Sequence, residues 1–140
     1  MPADHSDKRL PQPSRTSAAY WEGCRNRQLL IQRCKQCGHL QFYPRSICTS
    51  CMSADLEMVP ASGRGNVRTF TVIRHPVSAA YANEVPYALA LIELDEGPTM
   101  MSTICNVDLE DVQIGMAVEA VFEQWTDKIT VPKFQAATQA

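Results

Sequence analysis

The stretch RCKQCGHLQFYPRSICTSCM, residues 33–52, holds two C-x2-C pairs, Cys34 with Cys37 and Cys48 with Cys51, separated by ten residues. A C-x2-C turn brings two thiolates within reach of one ion, at about 2.3 Å from sulfur to zinc, and a second such turn completes a tetrahedron. The ten-residue connection is too short for a finger built on a long helix, so the two turns are expected at the ends of a compact hairpin, a zinc ribbon. Four thiolates saturate Zn2+ and leave no position for water or substrate, which points to a structural ion. Two disulfides or free buried thiols are the competing readings, and the residues alone leave open iron in the same cage, as in rubredoxin. His39 is an alternative ligand to a cysteine; it is read here as an exposed ribbon residue.

Outward from the ribbon on its N-terminal side, Leu29, Leu30 and Ile31 suit its opening strand. Before them, Ser14 or Thr16 is placed to cap a helix running through Ala18 and Trp21 to about Arg27. Tyr20, Trp21 and Cys24 share one face of it, read as a packed face, with Cys24 as a small packed residue. Residues 1–15, with Pro2, Pro11 and Pro13 among polar neighbours, are expected to be a disordered lead. Between the two cysteine pairs, Phe42 and Tyr43 are read as cover for a thin core, with stacking on a base or flat ligand as the alternative.

On the C-terminal side the pattern changes to strands. Residues 56–59 form a short apolar run. In residues 66–75, NVRTFTVIRH, the alternation puts Val67, Thr69, Thr71 and Ile73 on one face. Residues 86–94 and 99–105 read as a hairpin around the turn at residues 95–98. A single helical turn starts at Asp108 and closes at Gly115, residues 116–125 make a half-wet strand, and residues 128–131 make a last one. Five strands with a short helix between the third and fourth suggest an OB-type barrel. The expected organisation is mainly β: a lead over 1–15, helix and rubredoxin-like ribbon over 16–55, a five-stranded OB-fold barrel over 56–134, and a tail over 135–140.

The net charge of −2 hides an uneven layout. Five basic residues (Arg25, Arg27, Arg33, Lys35 and Arg45) lie between Tyr20 and Cys51 against Glu22 alone, whereas residues 76–126 carry no lysine or arginine. An acidic half offers no groove for a phosphate backbone, so a zinc-ribbon/OB-fold nucleic-acid-binding module is the second reading of function. No apolar run approaches the roughly 20 residues that span a bilayer, and the polar start gives no signal peptide, so the expectation is no membrane and a cytoplasmic protein. No catalytic constellation is visible. A Cys105–His75 pair is the one arrangement with nucleophile-and-base logic, and a packed strand cysteine is the simpler reading.

The run YWEGCRNRQLLIQRCKQCGHLQFYPRSICTSCMSADLEMVPASGRGNVRTFTVI, followed by VPYALALIELDEGPTM and VDLEDVQIGMAVEAVFE, resembles the family of zinc-ribbon plus OB-fold proteins associated with acyl-CoA metabolism. The resemblance covers nearly all of residues 17–134 and departs at Cys24, where an aliphatic residue is more usual. It implies a non-catalytic small subunit, in a hetero-oligomer, of a thiolase-like enzyme that itself carries the catalytic cysteine. Members serve acyl-CoA thiolases, sterol side-chain aldolases and aromatic-degradation thiolases such as benzoylsuccinyl-CoA thiolase.

A CoA thioester at the interface would bring phosphates and an adenine, for which the candidates are Arg25, Arg27, Arg45, Arg64, Arg68 and Arg74, with Phe42 or Tyr43 for stacking. Candidate docking positions are apolar residues expected at the surface: Trp21 on the helix, Tyr81 and Tyr87 in the loop at 79–87, and Phe134 in the tail.

Overall fold

Two serines set the start of the helix. In the computed structural model, which describes residues 8–137, Ser14 Oγ accepts the Ser17 N–H (3.1 Å) and Ser17 Oγ accepts the Ser14 N–H (2.9 Å). The two serines thus close the turn ahead of the helix, and the Ser14 carbonyl accepts the Ala18 N–H (2.8 Å). Helix α1, Ala18–Arg25, follows. It ends in a paired turn: Gln28 N–H reaches the Gly23 carbonyl (2.8 Å), Arg27 N–H reaches that of Cys24 (3.0 Å), and Arg27 sits at φ 59. A side chain on Gly23 would lie 2.8 Å from Leu30 Cγ, so glycine lets the chain fold back tightly into the next strand.

That strand, β1 (Leu30–Cys34), lies between β2 (Leu40–Gln41) and β3 (Leu56–Pro60) in a three-stranded antiparallel sheet. Gln32 and Gln41 face each other across β1 and β2 and are both buried. Gln32 Oε1 accepts from Gln41 Nε2 and from the Arg45 N–H, both at 2.8 Å, and Gln32 Nε2 donates to the Arg45 carbonyl (2.9 Å). Gln41 Oε1 accepts the Thr49 N–H (2.9 Å). Two amide side chains thus supply the partners that the irregular segment between the cysteine pairs cannot find in strands.

The remaining strands are β4 (Arg64–Ile73), β5 (Tyr87–Leu94), β6 (Thr99–Ile104), β7 (Ala117–Gln124) and β8 (Thr130–Ala136). They close in the order β4-β5-β6-β8-β7, β4 returning to β7 through Gly65 opposite Val118. A 3-10 turn at Leu109–Asp111 lies between the third and fourth strands of this barrel. Alternate residues fill it: Ala88, Ala90, Ile92 and Leu94 from β5, Met100 and Ile104 from β6, with Val67, Val118 and Phe134. The architecture is the expected one, a helix and zinc ribbon ahead of a five-stranded OB-fold barrel. Gly65 is where strands crowd, since a Cβ there would run into the Glu93 carbonyl.

Three expectations need correction. In β4, Val67 pairs with Ile92 and Thr69 with Leu91, so Arg68 is an extra residue. This bulge flips the face, leaving Thr69 and Thr71 exposed and turning Phe70 and Val72 inward in place of a continuous Val67–Ile73 stripe. The last strand runs through Ala136, and Phe134, expected in a tail, is fully buried in the barrel. Pro132 does not interrupt it. The Trp125–Ile129 and Ala137–Ala117 backbone bonds set the ladder phase, so the Pro132 nitrogen faces β6, where β8 pairs only at Phe134. Finally, part of the lead is packed. Lys8 is 5% exposed, while residues 1–7 lie outside the described ones.

Candidate functional site

Each cysteine pair is held by the same local wiring. In the first, Gly38 N–H bonds the Cys34 carbonyl (2.8 Å) and Cys34 N–H bonds that of His39; in the second, Met52 N–H bonds the Cys48 carbonyl (3.0 Å) and Cys48 N–H bonds that of Ser53. Gly38 (φ 79) and Met52 (φ 66) take the left-handed conformation that closes each turn. The four Sγ atoms lie within 4.8 Å of one another, with Cys34–Cys51 at 3.6 Å and Cys37–Cys48 at 3.7 Å. A tetrahedron with sulfur about 2.3 Å from zinc has edges of about 3.8 Å, so the cage has the right size.

The electrostatics of the cage also call for a cation. The Cys48 thiol is brought down to about 6, chiefly by the Cys51 N–H and also by that of Ser50. Cys34 is lowered too, first by the Cys37 N–H. Cys51 receives the Ser53 N–H, yet burial and the thiols of Cys34, Cys37 and Cys48 push it up to about 12. Four thiolates in one cage repel, and a divalent ion removes that repulsion. His39 stays outside, its Nε2 3.1 Å from Thr49 Oγ1.

A second feature lies where helix, ribbon and barrel meet. A groove of about 600 Å³ has the outer face of β5, β6 and β8 as its floor, including Leu89. Its walls come from Trp21 of α1, Phe42 and Tyr43 of the ribbon, and Tyr81 beyond β4. Ring contacts link the walls: Tyr20 packs edge-on against Trp21 (5.0 Å between centroids) and against Phe42 (5.4 Å). Tyr43 Oη accepts the Met101 N–H at 3.4 Å. The rim leaves large apolar groups in water, Val77 at 73% exposure and Met101 at 52%.

The docking candidates Trp21, Tyr81 and Tyr87 all line this groove; Phe134 does not, being core. Of the CoA candidates Tyr43 lines it, but no arginine does. Arg25 pairs with Glu22 on its own helix (3.1 Å). Arg27 Nη1 donates to the Phe122 carbonyl (2.8 Å), and Arg64 lies 3.9 Å from Glu119. Those two share a polar depression of about 210 Å³ behind the helix. Arg45, Arg68 and Arg74 line neither the groove nor that depression.

The remaining thiols are not activated. Burial pushes Cys24 up to about 11, and it raises Cys105, with Glu123 adding to the rise and Lys133 opposing it. His75 is exposed and is not among the groups acting on Cys105. Among the described residues no helix is long and apolar enough to cross a membrane.

A four-thiolate ribbon fused to an OB barrel defines a class of metal-stapled β proteins. Within it the chain belongs to the ChsH2 family: the ChsH2 rubredoxin-like zinc ribbon domain matches residues 21–57, and the ChsH2 C-terminal OB-fold domain matches residues 58–123. Cage geometry and domain match together make the cofactor structural zinc.

A probable enoyl-CoA hydratase alpha subunit of Thermomonospora curvata is 34% identical over 91% of this chain, which spans only 39% of that relative's length. A DUF35 domain-containing scaffold protein of Methanocaldococcus jannaschii is 40% identical, over 74% of each chain. Benzoylsuccinyl-CoA thiolase subunit BbsA of Geobacter metallireducens is 41% identical over 46% of this chain and 41% of its own. Among solved structures, an Ltp2-ChsH2(DUF35) aldolase chain superposes with a TM-score of 0.83 and 33% identity, over 92% of this chain and 100% of that one.

Proposed function

We propose that this chain is a non-catalytic, zinc-stabilised subunit of a thiolase-type complex acting on acyl-CoA by thiolytic or retro-aldol carbon–carbon cleavage, and that the aromatic groove is its docking face. The observation that carries the proposal is convergence. Trp21 lies far along the chain from Tyr81 and Tyr87, and the fold gathers them on one groove with an exposed apolar rim. An apolar patch left in water on a small protein marks a surface meant to be covered. The relatives support the class of partner, since their names are those of a hydratase subunit, a thiolase subunit and an aldolase.

In this reading zinc fixes the ribbon so that Phe42 and Tyr43 stand at the groove wall, and the chemistry belongs to the partner. A CoA thioester bound at the interface meets an apolar groove floor from this chain. Its phosphates find no arginine in the groove, so their counter-charges come from Arg27 and Arg64 behind the helix or from the partner. Lys133 lines the groove but is paired with Glu123, so the lining offers no cationic track for a nucleic-acid backbone.

Affinity capture of the tagged chain from its native extract tests the proposal, with mass spectrometry and zinc analysis on the same sample. A stoichiometric thiolase-like partner, with about one zinc per chain, is expected. Met101→Glu, at an exposed rim position, is expected to lose the partner while keeping zinc and thermal midpoint. Recovery of the wild type alone, or with nucleic acid, sinks the subunit reading.

A further inference from the structure

Lys8 stands apart from the other lysines by its burial. Its ammonium lies 2.8 Å from Glu84 Oε2, 4.7 Å from the centre of a Trp125 ring and 5.2 Å from that of Tyr81. An ammonium gives up strong hydration to be placed there, and among the described residues a carboxylate and two π faces help to replace it. Glu84 also approaches Lys133 (3.9 Å), which pairs with Glu123 at 2.7 Å, and the Trp125 indole donates to Glu123 (3.0 Å). Among the described residues the cluster joins two lysines to two glutamates, and it borders the groove, whose lining includes Tyr81, Glu84, Trp125 and Lys133.

Tyr81 and Glu84 belong to the connection between β4 and β5, where the regular structure is a single 3-10 turn at Ala79–Tyr81. Its backbone bonds are local, Tyr81 N–H to Ser78, Ala82 N–H to Ala79 and Glu84 N–H to Tyr81. Few buried side chains secure the segment: residues 74–79 are all exposed. A segment of this kind opens easily unless something outside it holds it.

We infer that Lys8, ahead of the helix, is a positioning residue clamping the Tyr81–Glu84 wall of the groove against Trp125. The clamp keeps one wall of the docking groove in place before any partner arrives, which lowers the ordering cost of association. The inference rests on the groove being the docking face, but the clamp is measurable in the chain alone.

The test is hydrogen exchange on the zinc-loaded full chain, comparing wild type with Lys8→Met, which keeps length and loses charge, and Lys8→Arg, which keeps charge. In Lys8→Met the amides of Tyr81, Ala82 and Glu84 are expected to exchange about tenfold faster, with the β5–β6 ladder unchanged. Lys8→Arg is expected to stay within about twofold of wild type. Unchanged loop amides, equal acceleration in the ladder, or equal acceleration in both variants overturns the clamp. Partner capture is read separately: where wild type retains a partner, Lys8→Met is expected to retain it about tenfold less well. A wild type that retains none sinks the docking reading, and the exchange result still decides the clamp.

Discussion

Within the ribbon, residues 30–60, the buried side chains are Ile31, Cys34 and Cys48 together with two glutamines, Gln32 and Gln41. Within the barrel they are predominantly apolar from Val67 to Phe134, with Ser102 and Thr130 as buried polar members. One fully buried isoleucine contributes about 1.5–3 kcal/mol, against roughly 1–2 kcal/mol of backbone entropy for every residue fixed. The ribbon therefore cannot hold its shape by burial, whereas the barrel can. The difference shows how one chain uses metal–sulfur bonds and side-chain amides where the core is thin, and strand alternation where it is thick.

The largest effect should come from removing the ion, and it should be confined to one side of this comparison. Structural zinc contributes about 10–16 kcal/mol in small fingers, so chelation or Cys48→Ser is expected to unfold the ribbon. Amides of β1 and β2 should lose exchange protection while those of β5 and β6 keep theirs. Loss of protection in both regions at once would show that the barrel also depends on the metal.

The converse perturbation is Phe134→Ala. Emptying a fully buried aromatic site costs about 3–5 kcal/mol, and the denaturant midpoint should fall accordingly. Zinc content should be retained up to the barrel transition. A smaller backbone effect is expected at Gly65, where a methyl group meets the Glu93 carbonyl. Gly65→Ala should cost about 1–3 kcal/mol and loosen the β4–β5 ladder locally. An unchanged midpoint would mean that β4 shifts to make room.

The two regions were not equally legible in sequence. The metal cage was, because a C-x2-C pair states its geometry over four residues, and the barrel was, because β5 alternates without interruption. What failed needed long-range information. A single bulge at Arg68 reversed the face of β4, and Phe134 looked like tail because Pro132 reads as a breaker unless the ladder phase is known. The buried Gln32–Gln41 pair gave no signal, since its meaning depends on which strands are neighbours. In sequence Lys8 reads as part of a lead with nothing to bury, because Tyr81, Glu84 and Trp125 lie far along the chain. The groove is of the same kind. Trp21, Tyr81 and Tyr87 were each visible as apolar residues in exposed-looking places, but only the closed barrel and the packed helix bring them together.

Helix α1 packs on both regions, and it provides the smallest and most conditional test. Cys24 is fully buried, and burial, partly opposed by a bond from Tyr20, raises its thiol from the ordinary 9.0 to about 11. For an acid whose folded pKa is raised, the folded state holds the proton longer. The contribution to stability is therefore fully present below about pH 9 and is lost progressively as pH climbs toward 11. Cys24→Val removes this titration together with the Tyr20 bond, and leaves the zinc thiolates in place. Between pH 9 and 11 the thermal midpoint of the wild type should fall further than that of the variant, while below pH 9 the two curves should run parallel. Parallel curves across the whole range would mean that the Cys24 proton is not held by the fold, and that α1 is packed more loosely between ribbon and barrel than its burial indicates.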